Sequence, residues 1–350
     1  MTTIFHTVTV LLPLPLGNGY TYRVPDAFDL KPGDIVSVPL GQRQVNGVIW
    51  DREPGDVDPR KLKSISAKLD VPPLPRVSRD FVDWVAAYNM ASPGTVLRMV
   101  ISVPAALEPP KPIIAYALNT RPPAYRTTTA RERVLAVLKD GTPRPGPELA
   151  REASTGSSVI KGLVEANILI KLALPPAPYF ANPDWQAPGP TLSAEQAAAA
   201  TAMRQHVLDG AFQPSVLEGV PGSGKTEVYL EAISEALEHD KQALVLLPEI
   251  ALSAQWLERF RERFGCAPAL WHSDLTGVQR RTTWRAVASG EAKVVVGARS
   301  ALFLPYPDLG VIVIDEEHDG SFKQEEGVVY NARDMGVVRA SLGGIPVALV

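Results

Sequence analysis

The spacing of apolar and polar positions divides this chain into three stretches. The first runs to about residue 72 and holds short runs rich in β-branched and aromatic residues: Ile4–Leu12, Tyr20–Val24, Ile35–Pro39, Val45–Trp50 and Leu62–Leu69. Gly17-Asn18-Gly19, Pro32-Gly33-Asp34 and Pro54-Gly55-Asp56 separate them as turns. Strands this closely spaced predict a small barrel or a rolled sheet. A helix follows, with Ser78 as its N-cap, Phe81, Val82, Trp84, Val85 and Tyr88 on its apolar faces and Pro93-Gly94 as its stop. Such barrels often bind nucleic acid, but many are only structural, so the fold alone assigns no role.

The second stretch has helical spacing. Proline-rich segments at 106–124 and 174–190 read as linkers on either side of it. Thr129-Ala130-Arg131-Glu132 predicts a capping box opening a helix with Val134, Leu135 and Leu138 inward. A short helix at Pro147–Ala153 and a third from Gly156, carrying Val159, Ile160, Leu163 and Val164, precede a strand at Ile168–Leu172. Three helices and a strand make a winged-helix pattern. The candidate recognition helix holds one base, Lys161, and one acid, Glu165, so a spacer or weak DNA contact weighs as much as groove reading.

In the third stretch, from about 191, continuous apolar runs alternate with helical periods. The strand candidates are 215–217, 243–247, 269–271, 293–296 and 311–314. Unbroken apolar strands between helices predict an α/β fold around a parallel sheet covered on both faces.

This last stretch carries the chemistry. Gly219-Val220-Pro221-Gly222-Ser223-Gly224-Lys225-Thr226 follows a strand candidate and opens a helical one. Such a loop turns successive N–H groups toward one concavity at a helix N-terminus, where an anion is favoured. Lys225 would then reach the β- and γ-phosphates of a nucleotide, and the Thr226 hydroxyl would sit on Mg²⁺. The run Val311–Ile314 ends in Asp315-Glu316-Glu317-His318. An apolar strand tipped with acids supplies the other half of a P-loop ATPase: Asp315 to hold Mg²⁺, Glu316 to orient and deprotonate water. Gln196 offers a donor and an acceptor in one amide, which matches an adenine edge. ATP and Mg²⁺ are the expected cofactors.

Composition limits the remaining possibilities. The 350 residues are 45% hydrophobic and 21% charged with a net charge of −3, so nucleic-acid contact must use local patches. One cysteine, Cys266, excludes a disulfide framework or an all-cysteine zinc site within the chain. No secretory signal or membrane-length apolar run is visible, and the expected location is the cytoplasm.

Several runs carry a family resemblance: LEGVPGSGKTEVYL, LLPEIALSAQ, WHSDL, VVVGARSALF, VIVIDEEHDGSFKQEEG and YNARD, with GYTYRVP, VSVPLGQR and LKSISAKLD earlier. In that order they resemble the PriA family of primosomal replication-restart helicases over nearly the whole chain. The resemblance implies a 3′-DNA-end-binding β domain at 1–105, a winged helix at 125–173 and the first RecA-like lobe of a superfamily 2 motor at 191–350. It implies 3′-to-5′ translocation at stalled forks, with forked and single-stranded DNA, single-stranded DNA-binding protein and primosome and helicase-loading proteins as partners, and no membrane.

Residue by residue, it implies nucleotide contact at Gly219, Gly222, Ser223, Gly224, Lys225, Thr226, Gln196 and Asp315. His318 would couple ATP state to DNA. Pro248, Glu249, Arg299 and Ser300 would line a DNA track. Phe322, Lys323, Tyr330 and Arg333 would form an aromatic-rich loop that stacks bases. Tyr20, Tyr22, Gly41 and Lys63 would hold a 3′-terminal nucleotide. Thr21 stands where the family carries an acid able to accept from a 3′ hydroxyl. Val328, Val329 and Asn331 replace bulky, basic or imidazole side chains.

The next helicase motif is expected to begin near Val350, with the second lobe, its arginine finger and a cysteine-rich zinc region beyond. An arginine finger contributes about 10³ to 10⁵ in rate, so the expectation for this chain by itself is weak nucleotide binding and DNA binding without unwinding. A second reading of the same sequence is a non-catalytic fork-binding scaffold that positions partners.

Overall fold

The structure is a computed structural model that describes residues 6–17, 19–58, 60–109, 112–125, 127–174, 178–248 and 254–350. The chain forms two compact units, one from residues 1–108 with 179–350 and the other from 109–178.

The first unit opens with strands β1 (Thr7–Leu11), β2 (Tyr20–Arg23), β3 (Ile35–Leu40), β4 (Arg43–Ile49) and β5 (Ala67–Lys68). They form an antiparallel sheet in the order β2-β1-β4-β3-β5, and a single bridge joins Arg23 to Ser64. The last strand is therefore much shorter than the apolar run Leu62–Leu69 predicted, because the chain before it turns aside to bond Arg23. Helix α1 (Arg76–Tyr88) starts ahead of its expected cap: Pro75 holds the N-cap position. Ser78 is instead buried inside the helix, where its hydroxyl accepts from Arg339 Nη2 at 3.2 Å. Nor does Pro93-Gly94 stop α1, which ends at Tyr88 with Asn89 as its C-cap; Pro93 is the first residue of α2 (Pro93–Val100), capped by Ser92.

The second unit begins inside the stretch read as a linker. There Ile113–Leu118 forms β6, flanked by the short strand β7 (Arg144–Pro145) and by β8 (Leu169–Leu174) in an antiparallel sheet ordered β7-β6-β8. Six consecutive pairs with β8 outweigh the prolines that bracket β6. Helices α3 (Thr129–Val137), α4 (Gly146–Glu152) and α5 (Ser157–Glu165) bury Val134, Leu149, Ile160 and Leu163 against one another. The cap of α3 is Thr128, whose hydroxyl accepts from Arg131 N, so the expected box at Thr129 and Glu132 is out of register by one.

The chain returns to the first unit with α6 (Ala194–Asp209), β9 (Pro214–Val216), α7 (Lys225–Glu238), β10 (Gln242–Leu246), α8 (Ala254–Phe264), β11 (Ala269–Trp271), α9 (Gly277–Ala288), β12 (Val294–Gly297) and β13 (Leu309–Ile314). A hairpin, β14 (Lys323–Gln324) with β15 (Tyr330–Asn331), leads to α10 (Ala332–Gly343) and β16 (Val347–Leu349). Six strands form one parallel sheet in the order β11-β12-β10-β13-β16-β9. The strand β16, which the pattern reading did not assign, lies between the strand leading to the glycine loop and the strand carrying the acids. All of β10 and nearly all of β13 are buried, as a sheet with helices on both faces requires.

The antiparallel sheet does not stand apart from this lobe. One apolar core contains Leu11, Trp50, Phe81, Val96 and Leu97 together with Trp271, Trp284, Phe303 and Ile314. Polar ties reinforce it: Trp284 Nε1 donates to Val100 O at 2.8 Å, and Arg285 Nη1 donates to Ala106 O and Glu108 O, both at 2.6 Å.

Candidate nucleotide and DNA site

The glycine loop leaves the carboxyl end of β9 and enters α7. Gly222 and Gly224 both take φ of 80°, a left-handed conformation that a side chain resists. A Cβ on Gly224 would lie 2.5 Å from Gln196 Nε2, and one on Gly219 would lie 2.5 Å from Ser223 Oγ. Gly224 is the N-cap of α7 and no side chain caps that helix, so its first N–H groups have no side-chain acceptor. Lys225 and Thr226, half-buried, form the first turn.

Gln196 is placed beside this loop, with both ends of its amide engaged. Oε1 accepts from Ser193 N at 2.8 Å, completing the capping box of α6, and Nε2 donates to Ser223 O at 2.8 Å. The residue expected to read a base edge is thus hydrogen-bonded to the loop itself.

Asp315 stands at the tip of β13 with 8% of its surface exposed. Its Oδ2 accepts from the Tyr229 hydroxyl at 2.8 Å and its Oδ1 accepts from Glu316 N at 3.0 Å. Burial raises its pKa above the ordinary aspartate range; the Tyr229 hydrogen bond and the Lys225 ammonium act in the opposite sense. Lys225 and Asp315 therefore share one electrostatic neighbourhood. Glu316 has φ of 54°, uncommon for a residue with a side chain, and its carboxylate lies 3.8 Å from His318 Nε2. Strained backbone of this kind concentrates at functional sites.

Beside the acids, at the carboxyl ends of β10, β11 and β12, a cleft of about 370 Å³ is lined by Pro248, Ser273, Arg280, Arg299, Ser300 and Phe322 among others. It brings together the expected DNA-track residues, except Glu249, which lies outside the described residues. The guanidinium of Arg299, half-buried, is tied to the neighbouring loop: Nη1 donates to Ser321 O at 3.0 Å and to Lys323 O at 2.9 Å. Arg280, which the sequence reading passed over, donates to His272 O and Ser273 O and stacks 5.8 Å from the Trp271 ring. No local motif marks it; only the fold brings it to the cleft.

The aromatic loop departs most from expectation. Phe322 is 1% exposed and Tyr330 is 3% exposed, the latter packed edge-on against Phe303 at 5.3 Å. Both rings belong to the core; Phe322 reaches the wall of the cleft but has almost no exposed surface to offer a base. Lys323 is exposed and paired with Glu325, while Arg333 bridges Glu317 at 3.1 Å and Asp334 at 3.0 Å.

In the antiparallel sheet, Tyr20 is exposed and Tyr22, two residues on, lies on the same face but is buried, its hydroxyl donating to Pro39 O at 3.2 Å. Lys63 Nζ donates to Gly41 O at 3.3 Å, so these four residues do gather at one end of the sheet. Of the two rings, only that of Tyr20 is open to a ligand. Thr21 points away and donates to Gly55 O at 3.2 Å.

A glycine loop, a strand-tip acid and a cleft across one parallel sheet define a helicase-type nucleotide lobe, and residues 193–338 match the DEAD/DEAH box helicase family. Residues 9–102 match the 3′DNA-binding domain of PriA. Over nearly its whole length the chain is similar to part of the replication restart proteins PriA. It is 31% identical over 341 residues to replication restart protein PriA of Rickettsia conorii, covering 97% of this chain and 42% of that protein. It is 34% identical over 361 residues to PriA of Haemophilus influenzae (98% and 48%) and 38% identical over 212 residues to PriA of Bacillus subtilis (60% and 26%). The chain thus spans less than half the length of these three relatives. Among solved structures, the UvsW helicase from bacteriophage T4 aligns over 47% of this chain and 54% of its own, at 13% identity and a TM-score of 0.32, a likeness too low to bear on function.

Proposed function

We propose that this chain carries the nucleotide-binding lobe and the DNA-end-binding part of an ATP-dependent replication-restart helicase. Such a motor recognises stalled forks, moves 3′ to 5′ on DNA in the cytoplasm, and initiates primosome assembly with single-stranded DNA-binding protein and helicase-loading proteins. In this reading the five-stranded sheet is a small barrel and residues 109–178 are a winged helix.

The observation that carries the reading is the meeting of the Lys225-led helix, without a side-chain cap, with the buried Asp315 at the carboxyl end of a single sheet. The residues fit ATP and Mg²⁺. A Cβ at Gly219 or Gly224 would strike Ser223 Oγ or Gln196 Nε2, so the tight loop that turns its N–H groups toward one side depends on glycine at both positions. Mg²⁺ needs only one or two protein ligands when phosphates and waters supply the rest, and Thr226 with Asp315 would provide them. Bound ATP and Mg²⁺ would supply the phosphoryl-transfer chemistry. The chain's own groups would do the positioning. N–H groups of the loop and the Lys225 ammonium would neutralise phosphate oxygens, the Glu316 carboxylate would take a proton from water, and His318 would report the site's state to the DNA cleft.

A fluorescent ATP analogue titrated into the chain tests this. Lys225→Ala is expected to weaken binding about ten- to hundredfold, the range for losing a charge-assisted hydrogen bond; equal affinity of variant and parent would remove the reading.

The scaffold reading draws support from the inward-facing Phe322 and Tyr330 and from the guanidinium of Arg299, bonded within the fold. DNA-stimulated ATP turnover by the full-length protein, absent in its Lys225→Ala variant, would favour the motor. Fork binding without turnover would favour the scaffold.

A further inference from the structure

The hydroxyl of Tyr229 lies at a junction of three elements. It donates to Asp315 Oδ2 of the strand-tip acid at 2.8 Å and accepts from Trp256 Nε1 of α8 at 2.7 Å. Tyr229 is 0% exposed and Trp256 6%.

The chemistry of these groups fixes the direction of the bonds. An indole N–H can only donate, so the phenol oxygen must accept from Trp256, and its single proton is left for Asp315. Each oxygen of the Asp315 carboxylate then has its own donor, Tyr229 on one and Glu316 N on the other. Two donors from different elements hold the carboxylate plane against rotation, leaving lone pairs on the open side.

We propose that Tyr229 is a positioning residue for the metal-holding end of the nucleotide site, orienting Asp315 through a hydroxyl that Trp256 keeps in the donating sense. This rests on the nucleotide reading above. Groups that orient a metal ligand without touching the metal typically alter metal affinity ten- to hundredfold when removed. A ring that merely fills the core would have no such effect.

The test is Tyr229→Phe in the whole chain, which keeps the ring and deletes the hydroxyl. Binding of a fluorescent ATP analogue is followed while Mg²⁺ is titrated, and again in excess EDTA. The half-saturating Mg²⁺ concentration is expected to rise about tenfold or more, with affinity in EDTA unchanged. Thermal unfolding without ligand reports any packing cost separately. Trp256→Phe, which removes the donor behind the hydroxyl, is expected to shift the Mg²⁺ curve in the same direction by roughly threefold, and it carries the test should Tyr229→Phe not fold. A Tyr229→Phe curve that superimposes on the parent's, whatever its stability, overturns the proposal. Parent protein whose nucleotide binding is absent or indifferent to Mg²⁺ overturns the nucleotide reading itself, and that outcome is visible before any variant is made.

Discussion

Asp315 illustrates at the scale of one residue how a functional group is kept at a cost to the fold. Its carboxyl is buried, and although Tyr229 and Glu316 N donate to it, burial dominates and its pKa is raised. An acid with a raised folded-state pKa contributes stability that is fully present below its unfolded value and is lost as pH rises through the folded value. At neutral pH the ionised side chain is therefore a net burden on the ligand-free protein. Asp315→Asn is expected to raise the unfolding temperature of that protein at pH 7, with the gain over the parent shrinking as pH falls into the carboxylate range, and to abolish ATP hydrolysis by the full-length protein. Scanning calorimetry on both forms from pH 4 to pH 7 checks the slope. A gain independent of pH would show that burial of the charge is not its source.

Among the elements, the hairpin β14–β15 shows where a local reading stops. Its residues have the composition of a base-stacking loop, yet Phe322 and Tyr330 lie inside, the latter against Phe303. Sequence spacing reports which residues are aromatic; which side of a short hairpin becomes core depends on partners far along the chain. Phe322→Ala is accordingly expected to cost about 3 to 5 kcal/mol of stability, as other large-to-small core changes do. Among the described residues the Tyr330 hydroxyl is buried without a hydrogen-bond partner, so Tyr330→Phe is expected to be neutral or slightly stabilising. Denaturant unfolding measures both. Loss of DNA affinity with no loss of stability in Phe322→Ala would place the ring back on the surface.

The same contrast separates what was legible from what was not. The glycine loop and the acidic strand tip were readable because their chemistry lies in consecutive residues with fixed backbone demands. Continuous apolar runs likewise gave five of the six parallel strands. The strand β6 was hidden by flanking prolines, and its pairing with β8 comes from beyond an intervening helical stretch. Ser78 read as a helix cap because serine usually is one; its actual partner, Arg339, is 261 positions away. The tethering of Arg299 depends on carbonyls at Ser321 and Lys323, which no motif spacing encodes.

For the whole molecule, Arg339 of α10 is central. It is 2% exposed, donates to Leu302 O, to Leu304 O at 2.9 Å and to Ser78 Oγ at 3.2 Å, and lies over the rings of Phe81 and Tyr306. Among the described residues it forms no ion pair, and burial lowers its pKa to about 10. Its bonds reach both the helix that follows the antiparallel sheet and the lobe around the parallel one. Arg339→Ala would leave two buried carbonyls without this donor, for a loss of about 3 kcal/mol or more. Because the two sheets share a core, the unit of residues 1–108 and 179–350, which holds all six tryptophans, is expected to unfold in one transition at a lower temperature, followed by tryptophan fluorescence. Two separated transitions would show that the sheets are independent bodies.

Arg285 of α9 holds the carbonyl of Glu108, where the chain leaves this body, and Glu291, just past the end of α9, accepts from the N–H of Tyr179, where it comes back. Exit and re-entry are thus moored at one helix, so residues 109–178 leave and rejoin the first unit at two fixed points as one closed loop of chain. The entropy of closing such a loop grows only with the logarithm of its length. The excursion can therefore be lengthened, shortened or exchanged for another fold while the machinery on either side keeps its geometry.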